Sequence, residues 1–262
     1  MELIIYQVDA FTDQLFKGNP AAVVPLEEWL PDEQLQAIAL ENNLSETAFF
    51  RPNGRDYDLR WFTPAKEVKL CGHATLATAH ILTKHLNQQN SAQLTFQTLS
   101  GPLMVRCNKK GWYIMNFPAD HIYLTPPPRQ IREALDVKPI ETYKGREDLL
   151  VILANQDAVV ALRPDFRRLE ELEYRGIIVT APGKDTDFAS RCFYPNYGVN
   201  EDPVTGSAHT SLAPYWAGRL GKNELSALQC SPRSGYLRCR VLNERVEISG
   251  QAVTYLEGKI HI

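Results

Sequence analysis

No apolar run in the 262-residue chain approaches the roughly 18 residues that a membrane-spanning helix needs, so no crossing of a bilayer by helix is expected. Charge of one sign is also lacking. A formal net charge of −3 leaves no basic footprint for nucleic acid and no attraction to an anionic membrane surface, so neither is expected as a partner. Cysteine is sparse and unpaired in pattern. Cys71, Cys107, Cys192, Cys230 and Cys239 are odd in number and contain no C-x-x-C. That usage suits reduced thiols in the cytoplasm better than a disulfide framework. Cys71-Gly72-His73 hints at metal ligation, but four ligands at the usual spacings cannot be assembled from it, and no metal is expected. The opening MELIIYQVDAF carries an acid at position 2 and no basic stretch, so a secretory leader is not expected and a cytoplasmic location is. Low-complexity tracts and coiled-coil heptads are absent as well. What remains, 44% hydrophobic and 23% charged residues, is the composition of an ordinary globular protein, long enough for one large domain or two small ones.

Along the chain, strand and helix signals alternate in both halves. LIIYQVDAF reads as a strand, Gly18-Asn19-Pro20 as a turn, and Ala21 to Val24 as the start of a second strand. PDEQLQAIALENN has helical spacing, with Pro31 near its first turn and Asn42-Asn43 at its end. ETAFF and YDLRWF follow as strands, GHATLATAHILTKHL as a helix, and residues 93–117 as a meander. Pro126, Pro127 and Pro128 mark an extended connection. Beyond it come a helix over 129–136, strands in EDLLVILAN and AVVALRP, a short helix near 164–172, strands in GIIVTAP and DFASRCFYP, a helix over 206–219, and strands to the end. The expected class is therefore α+β: two pseudo-equivalent lobes, each a curved, mostly antiparallel sheet around a central helix. The lobes are expected at 1–118 with 252–262, and at 119–251.

The two halves share a phrase. RWFTPAKEVKLCGHATLATAH and RCFYPNYGVNEDPVTGSAH both open R-x-F-x-P and cross a polar loop to a Gly that begins an Ala-rich segment. Gly72 and Gly206 lie 134 positions apart (206 − 72). A Gly before a helix admits close approach to the backbone, and the first turn of free N–H groups attracts an anion. One reading is that each lobe supplies half of a binding site in a shared cleft. The other is an old duplication that kept a packing motif and no site. His73, Asp202 and Ser207 beside the two glycines favour the first, although each alone reads as a structural or capping residue.

Taken together and in order, VDAFT, GNPAAVV, LSETAFF, RWFTP, CGHATLA, YGVNEDPVTGSAH and ISGQAV resemble the PhzF family of phenazine-biosynthesis-like isomerases. The resemblance runs from about residue 5 to the C-terminus. It implies a fold similar to diaminopimelate epimerase, a site between two lobes, a homodimer, and isomerisation of a dihydro-hydroxyanthranilate or another small carboxylic acid without metal or other cofactor. It implies that Glu46 is the general acid/base. It implies that Gly72 and His73 bind substrate on one side, and Asp202, Thr205, Gly206, Ser207 and Ala208 on the other. Glu46 read by itself is a solvated residue at a strand edge; as a carboxylic acid it becomes a proton shuttle when partial burial brings it toward neutrality.

Epimerases of this fold use two thiols, each placed just before the helix Gly. Here Cys71 precedes Gly72 but Thr205 precedes Gly206, and a hydroxyl does not replace a thiolate, so two-thiol racemisation is disfavoured and Cys71 is read as a small apolar filler. Arg233-Ser234-Gly235 departs from the Gly pair that usually follows the Arg, and Tyr194 and Tyr197 lie close enough in sequence to narrow a pocket. An epimerase or lyase acting on another small acid, and a small-molecule-binding protein without catalysis, stay open as alternatives.

Overall fold

A computed structural model describes residues 1–86 and 92–262. The chain forms two compact units, Met1–Asn116 with Ser249–Ile262, and Phe117–Ile248. Both are α+β and sheet-dominated.

In the first unit the strand Glu2–Ala10 pairs antiparallel with Asn19–Pro25 on one side and with the closing strand Ala252–His261 on the other. Asn19–Pro25 then runs parallel to Glu46–Asn53, with Ala21 opposite Glu46. A parallel step needs a crossover, and the helix Asp32–Asn42 supplies it. Asn43 ends that helix in the left-handed region, φ 48°. Glu46–Asn53 is antiparallel to Asp56–Phe62. A second parallel step to Gln93–Thr98 crosses over the helix Gly72–Lys84, and hairpin partners Gly101–Cys107 and Tyr113–Pro118 follow.

The second unit repeats the order of pairings. Glu141–Lys144 is antiparallel to Leu149–Ile152, which is parallel to Ile177–Pro182 across the short helices Gln156–Ala161 and Phe166–Glu170. Ile177–Pro182 is antiparallel to Phe188–Tyr194. Phe188–Tyr194 is parallel to Glu224–Gln229 across the helix His209–Leu220, and Gly235–Leu242 closes the hairpin. The equivalence extends to two short strands that periodicity did not reveal, Glu67–Val68 against Asp56–Phe62 and Val199–Asp202 against Phe188–Tyr194.

Each unit wraps its sheet around the Ala-rich helix. In Gly72–Lys84 every residue from His73 to Thr83 is buried. Its threonines make that possible: the hydroxyls of Thr75, Thr78 and Thr83 donate to the carbonyls of Cys71, Ala74 and Ala79 at 2.5, 2.8 and 2.9 Å, so these three buried hydroxyls are satisfied. The helix His209–Leu220 contains Pro214, which cannot donate to the Thr210 carbonyl four residues back. The amide of Asp120 takes that acceptor instead, at 3.0 Å.

Two sequence expectations change. AVVALRP is not a strand: Gln156–Ala161 is helical, because the Asn155 side chain accepts from the Ala158 amide at 2.9 Å and caps it, outweighing the β preference of two valines. The second central helix begins at His209, not Gly206. The amides of His209, Thr210 and Ser211 bond to the carbonyls of Gly206, Ser207 and Ala208, three residues back, so a tighter turn precedes the α-helix.

Candidate functional site

In the first unit, parallel pairing and the helix start bring three chain segments together. Glu46 opens its strand, partly exposed, beside Ala21 of the preceding one. Gly72 and His73 form the first turn of the central helix, whose first N–H groups have no intrahelical acceptor and no side-chain cap. His73 Nε2 lies 3.2 Å from Glu46 Oε2. The contact has ion-pair distance without hydrogen-bond geometry, and Nε2 makes no other hydrogen bond among the described residues. Burial drives the imidazole down to about 3, so the ring is neutral at physiological pH and the contact is that of a neutral ring with a carboxyl group. On the opposite ring edge, Nδ1 lies 3.3 Å from Asn19 Nδ2 and 3.6 Å from Cys71 Sγ.

Donor atoms of Glu46, Cys71 and His73 fall within 4.8 Å of one another, close enough to ask whether they hold an ion. The imidazole argues against it. A metal binds one ring nitrogen along its lone pair. Here the thiol faces Nδ1 and the carboxylate faces Nε2, so the two do not converge on one ion. The set is a row of polar groups passing through a ring, suited to proton placement.

In the second unit the sequence-selected residues form a tightly tied loop. Asp202 ends the strand Val199–Asp202, and its Oδ2 accepts from Thr205 Oγ1 at 2.5 Å. It is a strand-end residue, not a helix cap; the residue at the cap position is Ala208, without a side-chain bond. Gln229, fully buried, braces the loop: Oε1 accepts from the Thr205 amide at 2.8 Å, while Nε2 donates to the Asp202 carbonyl at 2.8 Å and to Thr205 Oγ1 at 3.2 Å. Thr205 is buried where the equivalent position in the first unit holds Cys71, and Gly206 and Ser207 follow in the turn, with Ser207 exposed. The Thr205 carbonyl lies 2.8 Å from Nδ1 of His209, a buried ring driven down to about 4 by desolvation.

Both loops hang from the same device. Arg60 grips Glu67 through Nε and Nη2 at 2.7 and 2.8 Å, and Arg191 grips Glu201 through the same atoms at the same distances. Each guanidinium also lies 5.1 Å from the ring of the Phe two residues on, Phe62 or Phe193. Each Glu stands five residues before the Gly of its phrase. The R-x-F of the repeated phrase is thus an anchoring clasp, and overlaying the two phrases is the signal that would have found its acidic halves. Asn19 and Gln229 escaped the sequence reading because nothing local distinguishes them from turn and strand residues.

The residues suspected of shaping the pocket fall differently. Tyr194 is buried against Gly176, where a Cβ would meet its ring at 2.1 Å, with the Arg175 guanidinium 5.6 Å from the ring centre. It is packing, not pocket lining. Tyr197 is exposed. Ser234 adopts φ 59°, the left-handed region where glycine is at ease, held by bonds from its amide to Ser231 Oγ and the Ser231 carbonyl, each 3.0 Å.

A family model described as phenazine biosynthesis-like protein matches residues 8–258. An uncharacterized isomerase of Pseudomonas aeruginosa is 55% identical over all of both chains. The crystal structure of a PhzF-family phenazine biosynthesis protein from Enterococcus faecalis superposes with a TM-score of 0.97 at 46% identity, covering all of both chains. A hydroxyproline epimerase from Agrobacterium vitis shares the fold alone, at 9% identity and a TM-score of 0.63 over 99% of this chain and 92% of that one. Among the described residues no helix is long and apolar enough to cross a membrane.

Proposed function

The chain belongs to the phenazine biosynthesis-like family, and on that premise we propose that it is an isomerase that moves a proton on a small amino or hydroxy carboxylic acid by general acid–base catalysis. One observation carries the reading: a partly exposed carboxylate, Glu46, stands 3.2 Å from a neutral, buried imidazole at the open N-terminus of a helix. Glu46 takes a proton from an acidic C–H and returns it at a second position. The free amides of Gly72 and His73 and the helix dipole hold the substrate carboxylate. Asp202, Thr205, Gly206, Ser207 and Ala208 are proposed as further substrate-binding residues. A dihydro-hydroxyanthranilate-like acid is the substrate the family resemblance suggests, and a homodimer the assembly. Thr205 in place of a second thiol weighs against a two-thiol epimerase.

Incubation in D₂O with a panel of amino and hydroxy acids, read by mass spectrometry, tests this. Wild-type protein is expected to place deuterium in one of them and Glu46→Gln is not. Equal labelling by both would remove Glu46 from the mechanism, and no labelling by wild type would favour a binding protein.

A further inference from the structure

His73 is a neutral ring, so it has one ring proton to place. Against Nδ1 stand an amide nitrogen, which can only donate, and a thiol, which donates or accepts weakly. Asn19 Nδ2 lies 3.3 Å away, and the Cys71 thiol, a weaker donor, lies at 3.6 Å. Nδ1 therefore accepts, and the proton stands on Nε2, which faces Glu46 Oε2 at 3.2 Å. We propose that Asn19 is a positioning residue: by donating to Nδ1 it holds His73 as the Nε2–H tautomer, so that the ring edge beside the Glu46 carboxylate carries a proton rather than a lone pair.

The backbone around Asn19 is built to keep it there. Gly18 turns the chain at φ +66°, and a Cβ on it would meet the Ala10 carbonyl oxygen at 2.1 Å, so a side chain at 18 is sterically excluded. Asn19 then enters the strand directly opposite Ala10 and is fully buried. The tautomer matters because a carboxylate that accepts a proton must first be ionised. An Nε2–H suits an ionised carboxylate; an Nε2 lone pair would instead require the carboxyl to carry the proton already. Asn19 thus sets beside Glu46 the ring tautomer that is compatible with a carboxylate ready to receive a proton from substrate. This catalytic consequence rests on the proposed shuttle role of Glu46; the tautomer itself does not.

The test is ¹⁵N NMR of histidine-labelled protein, with the His73 signals assigned by their loss in His73→Gln. In wild type, Nε2 is expected to be protonated and Nδ1 not; the reverse pattern overturns the proposal before any Asn19 variant is made. Asn19→Asp replaces the donor by an acceptor and should move the proton to Nδ1, with deuterium wash-in slowed about tenfold or more in kcat and KM changed much less. Asn19→Ala, which only removes the donor, should give a mixture of tautomers if the aspartate variant does not fold. An unchanged tautomer in every folded Asn19 variant would refute the positioning role. A shifted tautomer with no turnover detectable in wild type would uphold that role while sinking the isomerase reading, and a shifted tautomer with full activity would refute its catalytic consequence.

Discussion

Glu201 receives Arg191 through two parallel bonds, 2.7 Å to Nε and 2.8 Å to Nη2, in a pair whose side chains are 9% and 14% exposed. The same pair recurs at Arg60 and Glu67, but 20% and 25% exposed. The clasp ties the strand that begins each repeated phrase to the strand that leads into its glycine.

Burial separates the two clasps in energy. Arg191 also reaches the Val159 and Leu162 carbonyls at 3.3 and 3.0 Å, so its loss leaves a buried carboxylate and unsatisfied carbonyls. Arg191→Ala is expected to cost roughly 3–5 kcal/mol, and Arg60→Ala about 1–2 kcal/mol, because water can reach the groups left behind. Urea unfolding of the two variants checks this, and equal losses would show that burial is not what matters.

Glu46→Gln preserves shape and the ability to accept a hydrogen bond but removes the titrating group. Turnover should fall by about 10²–10⁴, the range of a general acid–base contribution, with substrate affinity largely kept. Single-turnover wash-in beside equilibrium binding distinguishes this from a binding defect. Near-wild-type rates would move the proton transfer elsewhere.

Cys71→Ala should lower turnover less than about tenfold, because the proposed general acid–base chemistry through Glu46 needs no thiolate and the position equivalent to Cys71 in the second phrase is Thr205, not a second thiol. Complete loss of turnover with an intact circular dichroism spectrum would return a thiol mechanism to contention.

Acid should destabilise the fold in a window set by buried histidines. Burial lowers His73 to about 3 and His80 and His209 to about 4, whereas an unfolded histidine titrates near 6.5. The unfolded chain therefore binds these protons first. Their contribution is fully present above about pH 6.5 and is lost as pH falls toward 4, at up to about 1.4 kcal/mol per pH unit for each ring. Urea melts between pH 7 and 5 should show this slope. His80→Gln, which cannot titrate, should make it shallower by about one ring's share, and a slope that does not change would exclude His80 as a contributor.

Much of this protein was legible in the chain because the signals were local. An Ala- and Thr-rich run without charge at residues 72–83 reads as a buried helix, and the structure buries it from His73 to Thr83. The duplicated R-x-F-x-P and Gly marked equivalent strand-to-helix passages, and His73, Asp202 and Ser207 stood out beside them, whereas Glu46 was singled out only by the family resemblance. Local signals failed where a short segment had two readings. The valines of AVVALRP suggest a strand until Asn155 caps them into a helix, and Gly206 suggests a helix start until the turn over 206–208 tightens. Only the tertiary structure decided which side chains meet. Asn19 and His73, 54 residues apart, touch because one enters a strand beside the parallel partner that Glu46 opens, while the other begins the helix that this sheet wraps. Gln229 reaches Asp202 and Thr205 across the crossover helix His209–Leu220 for the same reason. Parallel pairing joins strands that a whole helix separates in sequence, so these contacts depend on register and packing, which no local pattern encodes.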